Sequence, residues 1–423
     1  MVSLRELAEI IELRGTPQHY DWGGTQYLPS VFGFENGANQ PFAEMWFGAH
    51  PKSPSIARIA STEVPFDQLF EQRASEIMGI DASKQWHGRL PFLLKVLDVQ
   101  QMLSIQVHPT KKQAEDGFAR ENALGVPLSA GRRNYKDDNH KPEVHIALSD
   151  FWMLHGFRPI EEIISLVRES ALFRQLAAEF VSKLSELESG KLNEASFLKE
   201  LYSRVMIMPQ QEVDAMLEPV IAPLLPRYRA GELHRQSPDF WAARAATQFV
   251  PTTGMYDRGI FSIYLLNLVA LKPGQGTFQD AGVLHAYLEG QNVELMANSD
   301  NVLRGGLTPK HIDIPELLKT VRFQTGAPDI LHGKEIGANQ LYYPTPAPDF
   351  ELSVIQLQPG EKAAHRTEEG MAIYLVLSGQ ISAKQTRGEI HFAAGQAFLC
   401  RANSSLYLNA EQNSTVYRAA LPQ

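Results

Sequence analysis

Along the first 155 residues, apolar positions come in short runs such as PFLLKVLDV (91–99) and MLSIQV (102–107), cut by Gly, Pro and aromatic residues. That punctuation predicts strands. Val144, Ile146 and Leu148 alternate as one face of another strand, opening directly after the charged stretch YKDDNHKPE (135–143). From about 158 to 247 the period changes. Ile160, Ile163, Ile164 and Val167 recur at i, i+3, i+4 and i+7, and Phe173, Leu176, Ala177, Phe180, Val181 and Leu184 repeat the pattern. These predict amphipathic helices, continued through ASFLKELYSRV and EVDAMLEPVI. Strand texture returns at IFSIYLLNLVALKPGQGTF, with a short helix near IPELLKTV (314–321), and YYPTPAPDF (342–350) separates a last β segment. The phrases LKPGQGTF and LQPGEKAA share one pattern, an apolar strand, then PG, then another strand. The prediction is a mainly β protein with a helical insertion. Residues 1–157 and 248–335 form one β domain, 158–247 the insertion, and 336–423 a second, smaller β domain.

Composition narrows the classes. A chain of 423 residues exceeds a single ordinary core. Its 44% hydrophobic and 21% charged content is that of a globular protein. The formal charge of −9 argues against a nucleic-acid footprint. One cysteine, Cys400, excludes a disulfide within the chain and a thiolate-rich zinc site. MVSLRELAEIIELRG at the N-terminus is charged and amphipathic, unlike a signal peptide, and no apolar run reaches about 18 residues. A cytoplasmic protein without membrane or nucleic-acid partners is expected.

Candidate chemistry starts at LSIQVHP (103–109). Ile105 and Val107 point to one face of a strand, and Gln106 and His108 together to the other, where both can reach one metal ion. Glu143 opens the next strand after the charged stretch. His285 follows a turn that Gly282 makes possible. Gln, His, Glu and His form a ligand set for zinc with an open position. A neutral Gln donor leaves the metal more electrophilic, which suits Lewis-acid work better than redox cycling. The order of donors, with Gln106 in place of a first histidine, is that of the cupin β-barrel.

YKDDNHKPE and HAYLEGQNVELMANSDNVLRGGLTPKHID (285–313) resemble the type I mannose-6-phosphate isomerase family, as do LSIQVHP, AEMWFGAHPKSPS (43–55) and YDWGG (20–24). Asp138 stands where that family often has Pro, and Gly305 where Ala is common. The resemblance implies cupin-like jelly-roll barrels with an α-helical domain, and one Zn2+ per chain on Gln106, His108, Glu143 and His285. It implies a small-molecule sugar phosphate as substrate, with Arg304 as the catalytic arginine.

Aldose–ketose isomerisation moves a proton between C1 and C2 and needs a base together with positive charge near the developing oxyanion. Lys141, His140, Glu294 and Asp300 are candidate catalytic groups beside Arg304. Ser104, Lys95, Lys136 and Lys310 are candidate substrate-binding groups. Lys95 interrupts an apolar strand and must find a partner there. Asp137, Asp138 and Lys136 read as a solvated turn, and Trp22, Trp46 and His50 as groups that shape the mouth. In the last segment His365 and Glu369 are the remnant of a metal motif, so that barrel is expected to be metal-free, with Cys400 a buried thiol. A monomer or weak homo-oligomer is expected. Two other readings keep the same scaffold: an iron cupin oxygenase, and a non-catalytic sugar-phosphate-binding protein.

Overall fold

The thirteen-residue strand His285–Ala297 organises the larger β unit. Its second half pairs antiparallel with Phe92–Val99 on one side and Glu143–Ala147 on the other. Its first half pairs with Phe151–Phe157 and, at His285, with Ile105–Val107. The strand bends between the two halves at Gly290. There φ is +122°, and a Cβ would lie 2.6 Å from the Asp150 carbonyl oxygen. Only glycine fits, and the bend lets one strand serve two walls of an eleven-stranded sheet. Alternation puts Asn292, Glu294 and Met296 on one face of it. Val293 and Leu295 point the other way, into an apolar core shared with a second sheet.

The computed structural model describes residues 7–367, 370–386 and 388–422, so Glu369 and the first six residues lie outside the described residues. The second sheet has nine strands, among them Glu351–Leu357, Ser414–Ala420, Ala372–Ser378 and Ala397–Cys400. A four-stranded sheet built from Lys362–Arg366, Ser405–Ala410, Gln380–Gln385 and Gly388–Ala393 faces it across a separate core containing Tyr374, Phe398 and Leu406. The chain passes from the eleven-stranded to the nine-stranded sheet between His332 and Lys334.

Strands from the start of the chain also enter this second sheet. Ile10–Arg14 pairs with Ala397–Cys400, setting Ile10 opposite Cys400, and with Ile56–Ile59, which in turn pairs with Thr62–Pro65. The first 157 residues are thus shared between two β units. Strand periodicity reports a strand and its buried face but not its partner.

Helices Ile160–Glu169, Arg174–Glu188, Glu194–Ile207, Gln210–Ile221 and Pro238–Thr253 form a layer packed on the eleven-stranded sheet. Side chains of Asn193 and Ser237 cap two of them by accepting the Ser196 and Asp239 amides. The helical stretch runs past the expected end at 247. Gly259–Leu265 is a fully buried helix, and the strand begins only at Leu266. A continuous apolar run has no period to separate the two. Val181, expected on an apolar face, is 61% exposed. Among the described residues no helix is long and apolar enough to cross a membrane.

Candidate metal centre and active site

Cross-strand register builds the first row of the site. Arg304 lies opposite Gln106, Gln106 opposite His285, and His285 opposite His155. Directly opposed residues share a face, so these four stand side by side. Ahead of His285, Gly282 takes φ +83°, and a Cβ would crowd the Thr320 carbonyl at 3.1 Å. Glu143 is held between Gln279 and Met296. His108, Glu143 and His285 each bring one ligand atom into a group spanning at most 4.8 Å, and all three are buried.

The two imidazoles are oriented for one task. His108 donates from Nδ1 to the Asn301 carbonyl at 2.8 Å, and His285 from Nδ1 to the Val283 carbonyl at 3.0 Å. Each Nε2 is then left with a lone pair, 3.3 Å (His108) and 3.4 Å (His285) from the two Glu143 carboxylate oxygens. The Nε2 of His108 has no hydrogen-bond partner among the described residues. Burial, with Lys141 nearby, depresses His108 to about 4 and keeps its ring neutral. Burial opposes charge on Glu143, but Lys141 outweighs it and holds the carboxyl well below its usual range. Two imidazole nitrogens and a carboxylate converging in a buried site fit a divalent cation of the zinc type. None of the three comes from the helical layer.

Lys141 reaches the same carboxylate, its Nζ 2.8 Å from Glu143 Oε1. A second network lies beside it. Lys95 Nζ is 3.1 Å from Glu294 Oε1 and 3.5 Å from Glu44 Oε2, over the ring of Trp46, whose indole N–H donates to Glu44. Tyr287 donates to Glu294 Oε2 at 2.8 Å. Burial opposes charge on Lys95, but the surrounding glutamates hold the ammonium above its ordinary range. With two carboxylates to one ammonium, burial pushes Glu294 up, Lys95 pulls it down, and the balance lies above its usual value. The partner that Lys95 requires is therefore a carboxylate pair, of which only Glu294 was among the candidates.

YKDDNHKPE and the ANSDN loop are tied together. Asp137 Oδ1 accepts from Ser299 Oγ (2.8 Å) and the Asn139 amide (3.0 Å), and Oδ2 from the Asp300 amide (2.7 Å). Asn301 Oδ1 accepts the Lys136 amide at 2.7 Å, and its Nδ2 donates to the carbonyls of Asp137 and Asn139, each at 2.9 Å. The solvated turn expected at Asp137 is in fact a partly buried clamp. Asp300 is 2.6 Å from Lys52 Nζ and 3.5 Å from His50 Nε2; despite burial, these hold it below its usual range, as an ionised anchor.

Positive charge collects at the rim. Arg304 is half-buried and makes no ion pair among the described residues. Lys310 is lowered by burial and by Arg304, and Lys136 by burial, Lys52, Arg133 and Arg304. Lys136 also donates to the Leu128 and Ala130 carbonyls, at 2.8 and 3.2 Å. Like charges held together in this way suit an anion. Ser104 is half-buried just before Ile105–Val107. His140 turns its Nε2 to Asp349, 2.9 Å from Oδ2, so a residue from the Pro-rich connection holds it.

His145, Thr277, Gln279 and His155 line the same interior and were not among the candidates. The Gln279 amide donates to His145 Nδ1 at 3.0 Å, and burial depresses His145 to about 3. Alternation placed His145 on the Glu143 face, but nothing in the sequence marked Gln279.

Comparison with known proteins agrees with this geometry. Residues 10–160 match the family described as phosphomannose isomerase type I, catalytic domain. Mannose-6-phosphate isomerase of Escherichia coli (strain K12) is 37% identical over 93% of this chain and 95% of its own length. That of Rattus norvegicus is 33% identical over 90% and 89%. A solved structure of mannose 6-phosphate isomerase from Salmonella typhimurium, bound to substrate (f6p) and a zinc atom, superposes with a TM-score of 0.83 at 32% identity, covering 98% of this chain and all of that one. With cupin-like sheets, a buried His–Glu–His group and near-full-length likeness to these enzymes, the chain belongs to the type I mannose-6-phosphate isomerase family.

Proposed function

We propose that the protein interconverts D-mannose 6-phosphate and D-fructose 6-phosphate by proton transfer between C1 and C2 through an enediol(ate). The observation that carries this reading is the convergence of His108, Glu143 and His285 in a dry site one strand from Arg304, which has no ion pair among the described residues. Gln106, between His285 and Arg304 in register, completes the proposed ligand set. Zinc held there supplies Lewis-acid polarisation of the sugar oxygens. Arg304 offers its guanidinium to the enediolate or the phosphate, with Lys136, Lys310 and Ser104 along the phosphate side. Lys141 and Glu294 are the groups proposed to hold the moving proton, Glu294 because burial raises its proton affinity. Lys95 is read as positioning Glu294, and Asp300 and His140 as holding the rim in place. We read it as a cytoplasmic enzyme, active as a monomer or weak homo-oligomer.

A coupled assay for fructose 6-phosphate formation, run with and without a chelator, tests the proposal. Turnover that the chelator abolishes and zinc restores is expected. Sugar-phosphate binding without turnover would favour a non-catalytic binding protein, and oxygen uptake would favour an oxygenase.

A further inference from the structure

The C-terminal barrel holds a charge that catalysis does not use. Arg418 lies on Ser414–Ala420 between Val416 and Ala420, both in the apolar core of that barrel, and is itself only 9% exposed. Register sets it opposite Ser353 on one side and Tyr374 on the other, with Tyr374 opposite Phe398. All four face the interior. The facing sheet contributes His365, opposite the buried Leu406, with its ring 5.8 Å from that of Tyr374.

Two polar atoms here, Arg418 Nε and His365 Nε2, have no hydrogen-bond partner among the described residues, and the Tyr374 hydroxyl lies against the guanidinium. No carboxylate among the described residues lies within ion-pair distance of Arg418, although ion pairs are common elsewhere on the molecule. A largely buried guanidinium with no counter-charge among the described residues is an unfavourable arrangement in a protein interior. Hydrogen-bond donors left unmatched beside it raise that cost. His365 is depressed to about 4 by burial and by Arg418, so it adds no second positive charge near neutral pH.

We propose that the C-terminal barrel is a binding site for a small carboxylate anion, held by the Arg418 guanidinium and the Tyr374 hydroxyl, with the His365 imidazole against it. A planar carboxylate matches the guanidinium fork. Its single charge neutralises one arginine, whereas a doubly charged phosphate would leave a net charge among Ile355, Val376 and Phe398. The site lies in a different core from the isomerase centre and does not depend on the assignment of that centre.

Thermal unfolding in sodium acetate, with sodium chloride at equal ionic strength as reference, tests the proposal. The midpoint of the unaltered protein should rise saturably with acetate. Arg418→Met should abolish that rise with isomerase turnover unchanged. Tyr374→Phe, which removes one oxygen and keeps the packing, should shift half-saturation several-fold to higher acetate. Phosphate in place of acetate should give no rise that Arg418→Met removes; if it does, the site takes phosphate and the carboxylate assignment is wrong. Equal responses in all three proteins, or none in the unaltered protein, overturn the site altogether. Should Arg418→Met fail to fold, crystals of the unaltered protein grown in acetate decide: planar carboxylate density on the Arg418 guanidinium supports the site, and its absence overturns it.

Discussion

Lys141 and Lys136 stand five residues apart in one loop with different surroundings. Lys141 is buried against Glu143, and Lys136 leans on two backbone carbonyls near the surface. Lys141→Met should leave the metal in place and lower turnover by roughly 100-fold, the usual effect of removing a positioned acid or base. Lys136→Met should act chiefly on KM. Steady-state kinetics with elemental analysis of both variants checks this, and equal small effects would reduce the loop to Glu143 alone. His365 makes a separate prediction. Its folded pKa is about 4, against an ordinary value of about 6.5 when unfolded. Between those values the unfolded chain binds more protons. Stability should therefore fall as pH drops from about 6.5 to about 4, and level off below. In His365→Gln the drop in unfolding midpoint between pH 7 and pH 4.5 should be smaller than in the unaltered protein.

Among elements, the clamp between YKDDN and ANSDN matters most. Asp137 receives donors from Ser299, Asp300 and Asn139, and Asn301 in turn fixes the tautomer of His108. Asp137→Ala should cost roughly 2 kcal/mol or more of stability, the scale of hydrogen bonds to a charged acceptor. It should also weaken metal retention on dilution, although Asp137 is not a ligand. Metal content after dialysis, set beside chemical denaturation, distinguishes this from a loss confined to stability. The same elements show what the sequence revealed. Gln106 and His108 were legible because strand alternation alone puts them on one face, and the long helices because their period persists for several turns. The helix Lys111–Ala123 was missed within a region read as strands, although Thr110 and Gln113 form the capping box that announces it. Glu44, Asp349 and Gln279 carry no local mark. Each matters through a partner far along the chain, Asp349 through His140 and Gln279 through His145.

At the scale of the whole molecule, the two β units are joined by more than the chain passing through 333. Leu13, Phe66 and Val96 share one core with Leu352, Ile373 and Leu399. The strand Ile10–Arg14 lies directly on Ala397–Cys400. Removing residues 1–14 should therefore loosen the C-terminal barrel as well as the N-terminal segment. Cys400 reports on this, since burial now pushes its thiol up to about 11 and covers it. It should resist a maleimide at pH 7.5 in the full chain, and react readily in the truncated one. Equal protection in both would mean that the barrel closes without that strand.

That pairing also bears on how the protein is made. A strand ending at residue 14 leaves the ribosome long before its partner at 397–400 exists. At about 5–20 residues per second, the interval is roughly 20–80 s. Throughout it, one edge of Ile10–Arg14 has no sheet to join, while Ile56–Ile59 can already cover the other. An open, apolar strand edge invites pairing with other nascent chains. Slow synthesis or crowding of ribosomes on one message should therefore favour aggregation of this protein, and a chaperone that shields the emerging N-terminus should raise its yield more than one acting after release.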